Sequence, residues 1–159
     1  MTEDDLPMLA TWFAEPHVAE WWDEGPEASL AEVREAIDSI STEPLIVELD
    51  GEAIAYLQNY DPHLEDDHPY QDQPFGTLGL DLSIGNPELV GIGHGSALLS
   101  QFIEELFAEG VPRVIIDPDP ANTRAIRAYA KAGFRPLGER DTIFGQVLLM
   151  ARDAEERAI

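Results

Sequence analysis

The spacing of apolar residues changes several times along the chain, and each change predicts an element. In DDLPMLATWF, Asp5 stands before the first apolar residue and Pro7 falls in the first turn, which predicts a helix over 6–13 with Asp5 as its N-cap. SLAEVREAIDSI places Leu30, Val33 and Ile37 on one face, with Ser29 as N-cap and Glu32 three residues later, the spacing of a capping box. The period then shortens to two. LIVEL and EAIAYLQNY flank Asp50-Gly51, the dipeptide favoured in type I′ turns, so residues 45–60 read as an antiparallel hairpin. The following stretch, DPHLEDDHPYQDQPFG, is acidic and aperiodic and reads as a loop, of a length that in compact domains is usually functional or disordered.

Alternation returns in TLGLDLSI, a strand over 77–84 with Leu78, Leu80, Leu82 and Ile84 on one face and Gly79, Asp81 and Ser83 on the other. GIGHG then opens an apolar, helix-like run, SALLSQFIEELFAEG. RVIID is a strand, NTRAIRAYAKAG a helix closed by Gly133, and FRPLGERD and IFGQVLLMARD are strand-like. The pattern is mixed α/β in a single domain over 1–159, without repeats or linkers. A strand, glycines and a helix in succession leave backbone N–H groups at the positive end of a helix dipole, where phosphate oxygens bind well. Gly91, Gly93 and Gly95 would let phosphates approach the main chain, with Ile92, His94 and Ser96 in the same loop. The spacing is neither the lysine-bearing P-loop nor GxGxxG, and turn chemistry alone also accounts for such glycines.

Composition narrows the function. No run approaches the roughly 20 apolar residues of a membrane span, and the start lacks the basic segment of a secretory leader, so the expectation is a soluble cytoplasmic protein. The absence of cysteine excludes disulfides, thiolate metal sites and a Cys nucleophile, so any acyl transfer is direct or uses another residue type. His17, His63, His68 and His94 show no zinc spacing, and no metal is expected. Ser96 is not a hydrolase elbow, because His94 and Leu98 stand where glycines would be required. Asp and Glu number 32 against nine Lys and Arg, a net charge of −23 that repels nucleic acid and anionic membranes and draws in cationic ligands. A solvated acidic surface of a salt-adapted host gives the same count. Against that field, Arg124, Arg127 and Lys131 recur at i, i+3 and i+7 on one helix face, and Arg135 and Arg140 follow. A phosphate-rich ligand explains this concentration, with dipole compensation as the alternative.

GIGHG before an amphipathic helix, followed about thirty residues later by DPDPANTRAIRAYAKAGF with its Asn-x-x-Ala-x-x-x-Tyr-x-Lys-x-Gly-Phe pattern, resembles the GNAT superfamily of acetyl-CoA-dependent N-acetyltransferases. With EPHVAEWW near the start and GLD ahead of the first loop glycine, the likeness is to the aminoglycoside 6′-N-acetyltransferases, from about residue 13 to about 149. The resemblance implies a mixed central sheet with a splayed central strand and flanking helices, and direct transfer of acetyl from acetyl-CoA to the 6′-amine of a polycationic aminoglycoside. Asp81 then orients the amine and accepts its proton, and Tyr129 serves the coenzyme A sulfur. A main-chain N–H near Leu82 or Ser83 meets the thioester carbonyl. Gly91 to Ser96, with Arg124, Arg127 and Lys131, hold the phosphates, and Asn122 contacts the pantetheine or caps its helix. Asp66, Asp117, Trp21 and Trp22 line the sugar site, and Tyr70 with Phe75 supplies an aromatic wall. Two features depart from the pattern: Val90 stands where relatives often carry Gln or Arg, and the loop lacks paired tryptophans. The alternatives are acylation of a siderophore hydroxylysine or other small amine, whose enzymes often carry histidine at the place of Asp81, and a non-catalytic acyl-CoA-binding module. A monomer or homodimer is expected.

Overall fold

A computed structural model of the chain describes residues 1–19, 26–85, 94–143 and 145–154. Five α-helices, α1 (Leu6–Phe13), α2 (Pro16–Ala19), α3 (Pro26–Ile37), α4 (His94–Ala108) and α5 (Thr123–Lys131), accompany six strands. These are β1 (Thr42–Leu49), β2 (Glu52–Tyr60), β3 (Leu78–Ile84), β4 (Arg113–Ile116), β5 (Arg135–Thr142) and β6 (Gly145–Asp153). They form one mixed sheet in the order β1-β2-β3-β4-β6-β5. No helix among the described residues is long and apolar enough to cross a membrane. The chain divides into two compact units, Met1–Tyr60 with Asp81–Ile92, and Asp61–Leu80 with Gly93–Ile159.

In the first unit, α1 and α3 bury Leu6, Leu9, Phe13 and Val33 with Val18 and Tyr56, and Trp12, Leu30, Ile37 and Ile46 pack around them. The Phe13 and Tyr56 rings meet edge to face at 6.1 Å. α1 spans the residues predicted and α3 buries the face its spacing predicts, but the cap of the first and the start of the second differ. Asp5 makes no side-chain cap to α1. Its carboxylate instead accepts from the Thr2 N–H at 2.9 Å, while Asp4 N–H donates to Thr2 Oγ1, so the capping box closes on a 3-10 turn one step earlier. α3 begins at Pro26, leaving Ser29 buried inside the helix and not at its cap. A proline at the first helical position has its φ already set and loses no hydrogen bond, which is why the helix starts there. The hairpin forms with the predicted turn: Asp50 and Gly51 have φ of 53° and 81°, both positive as type I′ requires, and Leu49 pairs with Glu52.

The second unit buries Tyr70, Leu80, Leu99, Ile103, Val114, Ile115, Leu149 and Met150. β3 runs parallel to β4 through Leu78–Val114 and Gly79–Ile115, and β6 is antiparallel to both β4 and β5. β5, last in the order, is mostly exposed, and Pro136 and its charges blunt that edge against pairing with another chain. The aperiodic segment is ordered by side chain to main chain bonds. Asp61 caps the 3-10 turn Pro62–Leu64 by accepting from His63 N–H at 2.9 Å, His63 Nε2 donates to the Gln73 carbonyl at 3.0 Å, and Gln71 Nε2 donates to the Glu65 carbonyl at 2.6 Å. Along β3, residues of both predicted faces are buried. Gly79, Leu80 and Ser83 are all buried, because an inner strand is covered on both faces.

Candidate active site

Asp81 lies half-buried on β3. One of its oxygens, Oδ2, accepts from Gln58 Nε2 at 2.7 Å, and Gln58 Oε1 in turn accepts from the Tyr56 hydroxyl at 2.5 Å. Residues 56 and 58 share a face of β2 because strand side chains alternate. Burial, reinforced by the charges of Asp81 and Glu32, pushes the Tyr56 phenol well above its ordinary range, so it remains a donor. Gln58 and Tyr56 were not singled out by sequence. The available signal was a lone amide in an otherwise apolar run, AIAYLQ, and its partner is 23 residues away.

Two residues beyond Asp81, the Ser83 hydroxyl is buried without a hydrogen-bond partner among the described residues. Leu82 is half-buried. From EPHVAEWW, His17 donates through Nε2 to the Ile84 carbonyl at 2.7 Å, which fixes its tautomer and ties this segment to the end of β3. Trp21 and Trp22 lie outside the described residues, as do Gly91, Ile92 and Gly93. His94 and Gly95 open α4, and Ser96, half-buried, is its third residue.

In the second unit, Asp117 follows β4 and accepts the Tyr70 hydroxyl at 2.5 Å. Tyr70, expected as part of an aromatic wall, is 0% exposed: its ring lies in the core, and its hydroxyl holds a candidate substrate carboxylate. Phe75, by contrast, is 87% exposed, and its ring lies 5.2 Å from that of His63. Asp66 is exposed. His68 is buried beneath this segment, its Nδ1 accepting from Tyr70 N–H at 3.1 Å and its Nε2 facing Glu65 at 3.4 Å. Desolvation lowers the His68 pKa, partly offset by Glu65. Among the described residues no group of three or more His, Asp and Glu converges in a manner that would hold a metal ion.

Asn122 caps α5, its Oδ1 accepting from Ala125 N–H at 3.2 Å. At the other end Gly133, with φ of 95°, lets Phe134 N–H return to the Tyr129 carbonyl at 3.0 Å. A side chain there would strain the turn and press on Arg152. Tyr129 is half-buried against the Phe134 ring, with a centroid separation of 6.1 Å. Arg124, Arg127 and Lys131 are exposed, and none carries a salt bridge among the described residues. The basic row stops there. Arg135 pairs with Asp153 and Arg140 with Asp72, each at 2.7 Å, so neither adds to the unpaired charge. Three α5 cations without a salt bridge among the described residues, in a chain of net charge −23, and a helix opening at His94 in the same unit suit a phosphate-bearing ligand such as coenzyme A.

This α/β sheet, with its glycine-rich approach to α4 and cation-bearing α5, has the plan of an acyl-CoA-dependent acyltransferase. The chain belongs to the GNAT acetyltransferase family: residues 1–142 match the Acetyltransferase (GNAT) domain. The aminoglycoside N(6′)-acetyltransferase type 1 of Klebsiella pneumoniae is 38% identical over 168 residues, covering 99% of this chain and 83% of that protein. The lysine N-acyltransferase MbtK of Mycolicibacterium paratuberculosis is 34% identical over 154 residues, covering 94% of this chain and 70% of its own. The solved structure of AAC(6′)-Ib in complex with ribostamycin and coenzyme A superposes with a TM-score of 0.87 at 35% identity, covering 96% of this chain and 90% of that one.

Proposed function

We propose that this protein transfers the acetyl group of acetyl-CoA directly to the 6′-amine of an aminoglycoside. The observation that carries this reading is Asp81, a half-buried carboxylate on β3 whose Oδ2 accepts from the Gln58 amide at 2.7 Å. The relatives named for N(6′)-acetyltransferase activity support the substrate class.

Bound acetyl-CoA supplies an activated thioester. Asp81 takes a proton from the substrate amine, whose nitrogen forms the new bond to the carbonyl carbon as the carbon–sulfur bond breaks. A main-chain N–H near Leu82 or Ser83 faces the carbonyl oxygen as charge develops on it. Tyr129 gives its hydroxyl proton to the leaving sulfur and regains one from solvent. Arg124, Arg127 and Lys131 hold phosphate, while Asp66 and Asp117, with Trp21 and Trp22, receive the sugar. The −23 field raises the local concentration of a polycation before any specific contact forms.

The test follows thiol release from acetyl-CoA with ribostamycin, beside the same sugar carrying a hydroxyl in place of the 6′-amine. Turnover with the first alone supports the reading. Equal turnover with both contradicts the regiochemistry, and turnover only with a lysine-like side-chain amine would favour the second reading, which rests on the similarity to MbtK.

A further inference from the structure

We propose that Gln58, locked by Tyr56, is the positioning residue for the Asp81 base, holding the carboxylate in its orientation and in its proton-accepting form. This rests on the assignment of Asp81 as the base. The hydrogen bonds run one way only. An ionised carboxylate can only accept, so the amide must turn its NH2 to Asp81 Oδ2, at 2.7 Å, and its carbonyl towards β2. Tyr56 fills that carbonyl with its hydroxyl proton, at 2.5 Å. Tyr56 is fully buried and remains protonated, so the amide carbonyl keeps a donor opposite it, and a flip would turn the amide NH2 onto the phenol hydrogen and its carbonyl onto the carboxylate.

The titratable groups facing this relay come from several elements. Tyr56 lies on β2 and Asp81 on β3, and Glu32 of α3 acts on the phenol along with Asp81. His17 of α2 sits further along β3, on the Ile84 carbonyl. Two acidic groups near one buried phenol disfavour further negative charge. A neutral amide donor on Oδ2 counters this by stabilising the Asp81 anion. A purely structural network would be indifferent to the protonation of Asp81; a positioning one is not.

The experiment is the dependence of kcat on pH at saturating acetyl-CoA and ribostamycin, for the unaltered protein and for Gln58→Leu, Gln58→Glu and Tyr56→Phe. The titration of the substrate amine is common to all, so a displacement between proteins belongs to the enzyme. Gln58→Leu should move the acid limb up by about one pH unit, a loss of about tenfold at acid pH that recovers as the pH rises. The isosteric Gln58→Glu should move it further, because two neighbouring carboxyls share a proton, and Tyr56→Phe should move it less. An unchanged limb in Gln58→Glu, or a loss uniform across pH in every folded variant, overturns the proposal. Asp81→Asn run alongside separates the two readings. If it is inactive while the Gln58 limbs do not move, only the Gln58 role fails; if it is fully active, the base assignment fails and the Gln58 role with it.

Discussion

The hydroxyl of Tyr70 donates to Asp117 Oδ2 at 2.5 Å, from a ring with no exposed surface. A hydrogen bond to a carboxylate contributes about 1.5–3 kcal/mol, and its loss leaves the ring's packing intact. Tyr70→Phe should therefore lower stability by about that amount and raise the KM for ribostamycin several-fold with little change in kcat. Urea denaturation and initial rates check the two halves; an unaltered KM would remove Asp117 from substrate binding.

Unpaired cations predict where coenzyme A binds. Neutralising Arg124, Arg127 or Lys131 singly should raise the KM for acetyl-CoA about threefold to tenfold, equivalent to roughly 1 kcal/mol each. Arg135→Ala and Arg140→Ala, whose side chains are occupied by Asp153 and Asp72, should leave it within about twofold. Equal effects at all five positions would mean that overall charge, and not the α5 face, governs affinity.

His68 gives the segment between β2 and β3 a defined pH response. Its folded pKa lies below the unfolded value of about 6.5, so the unfolded chain binds more protons between the two. The stabilisation is complete above about pH 6.5 and is lost as the pH falls through the folded pKa. Because acidification also relieves the repulsion of a −23 chain, the comparison is with His68→Asn, which keeps an acceptor for Tyr70 N–H. The stability advantage of the unaltered protein should be larger at pH 7.5 than at pH 5.5, read from denaturant midpoints. An advantage independent of pH would contradict it.

Gly85 closes β3 against Trp12. A Cβ at this glycine would clash with the indole ring, while its own N–H is committed to the Ile54 carbonyl at 2.9 Å. Gly85→Ala should thus destabilise by about 1–3 kcal/mol, the usual cost of overpacking, and a melting temperature unchanged from the parent would show that the indole can move aside.

Local chemistry was legible in the sequence. Asp50-Gly51 encodes its own turn, Asn122 its own cap and Gly133 its own stop, and the apolar face of α3 follows from its spacing. What the sequence leaves unread depends on distant partners. The burial of the Tyr70 ring follows from a core assembled elsewhere in the chain, and the pairing of Arg140 from Asp72, 68 residues earlier. Gln58 was missed for the same reason: an amide in a strand has no meaning until the neighbouring strand supplies a carboxylate. The segment after β2 carries no period because single side chains order it, each bonded to one main-chain group.

The most direct measurement on the central claim is the turnover of Asp81→Asn beside its affinity for acetyl-CoA. Loss of a general base should lower kcat by at least about tenfold while acetyl-CoA binding, read by calorimetry, stays unchanged. Full turnover with intact binding would contradict the assignment of Asp81 as the group that takes the proton.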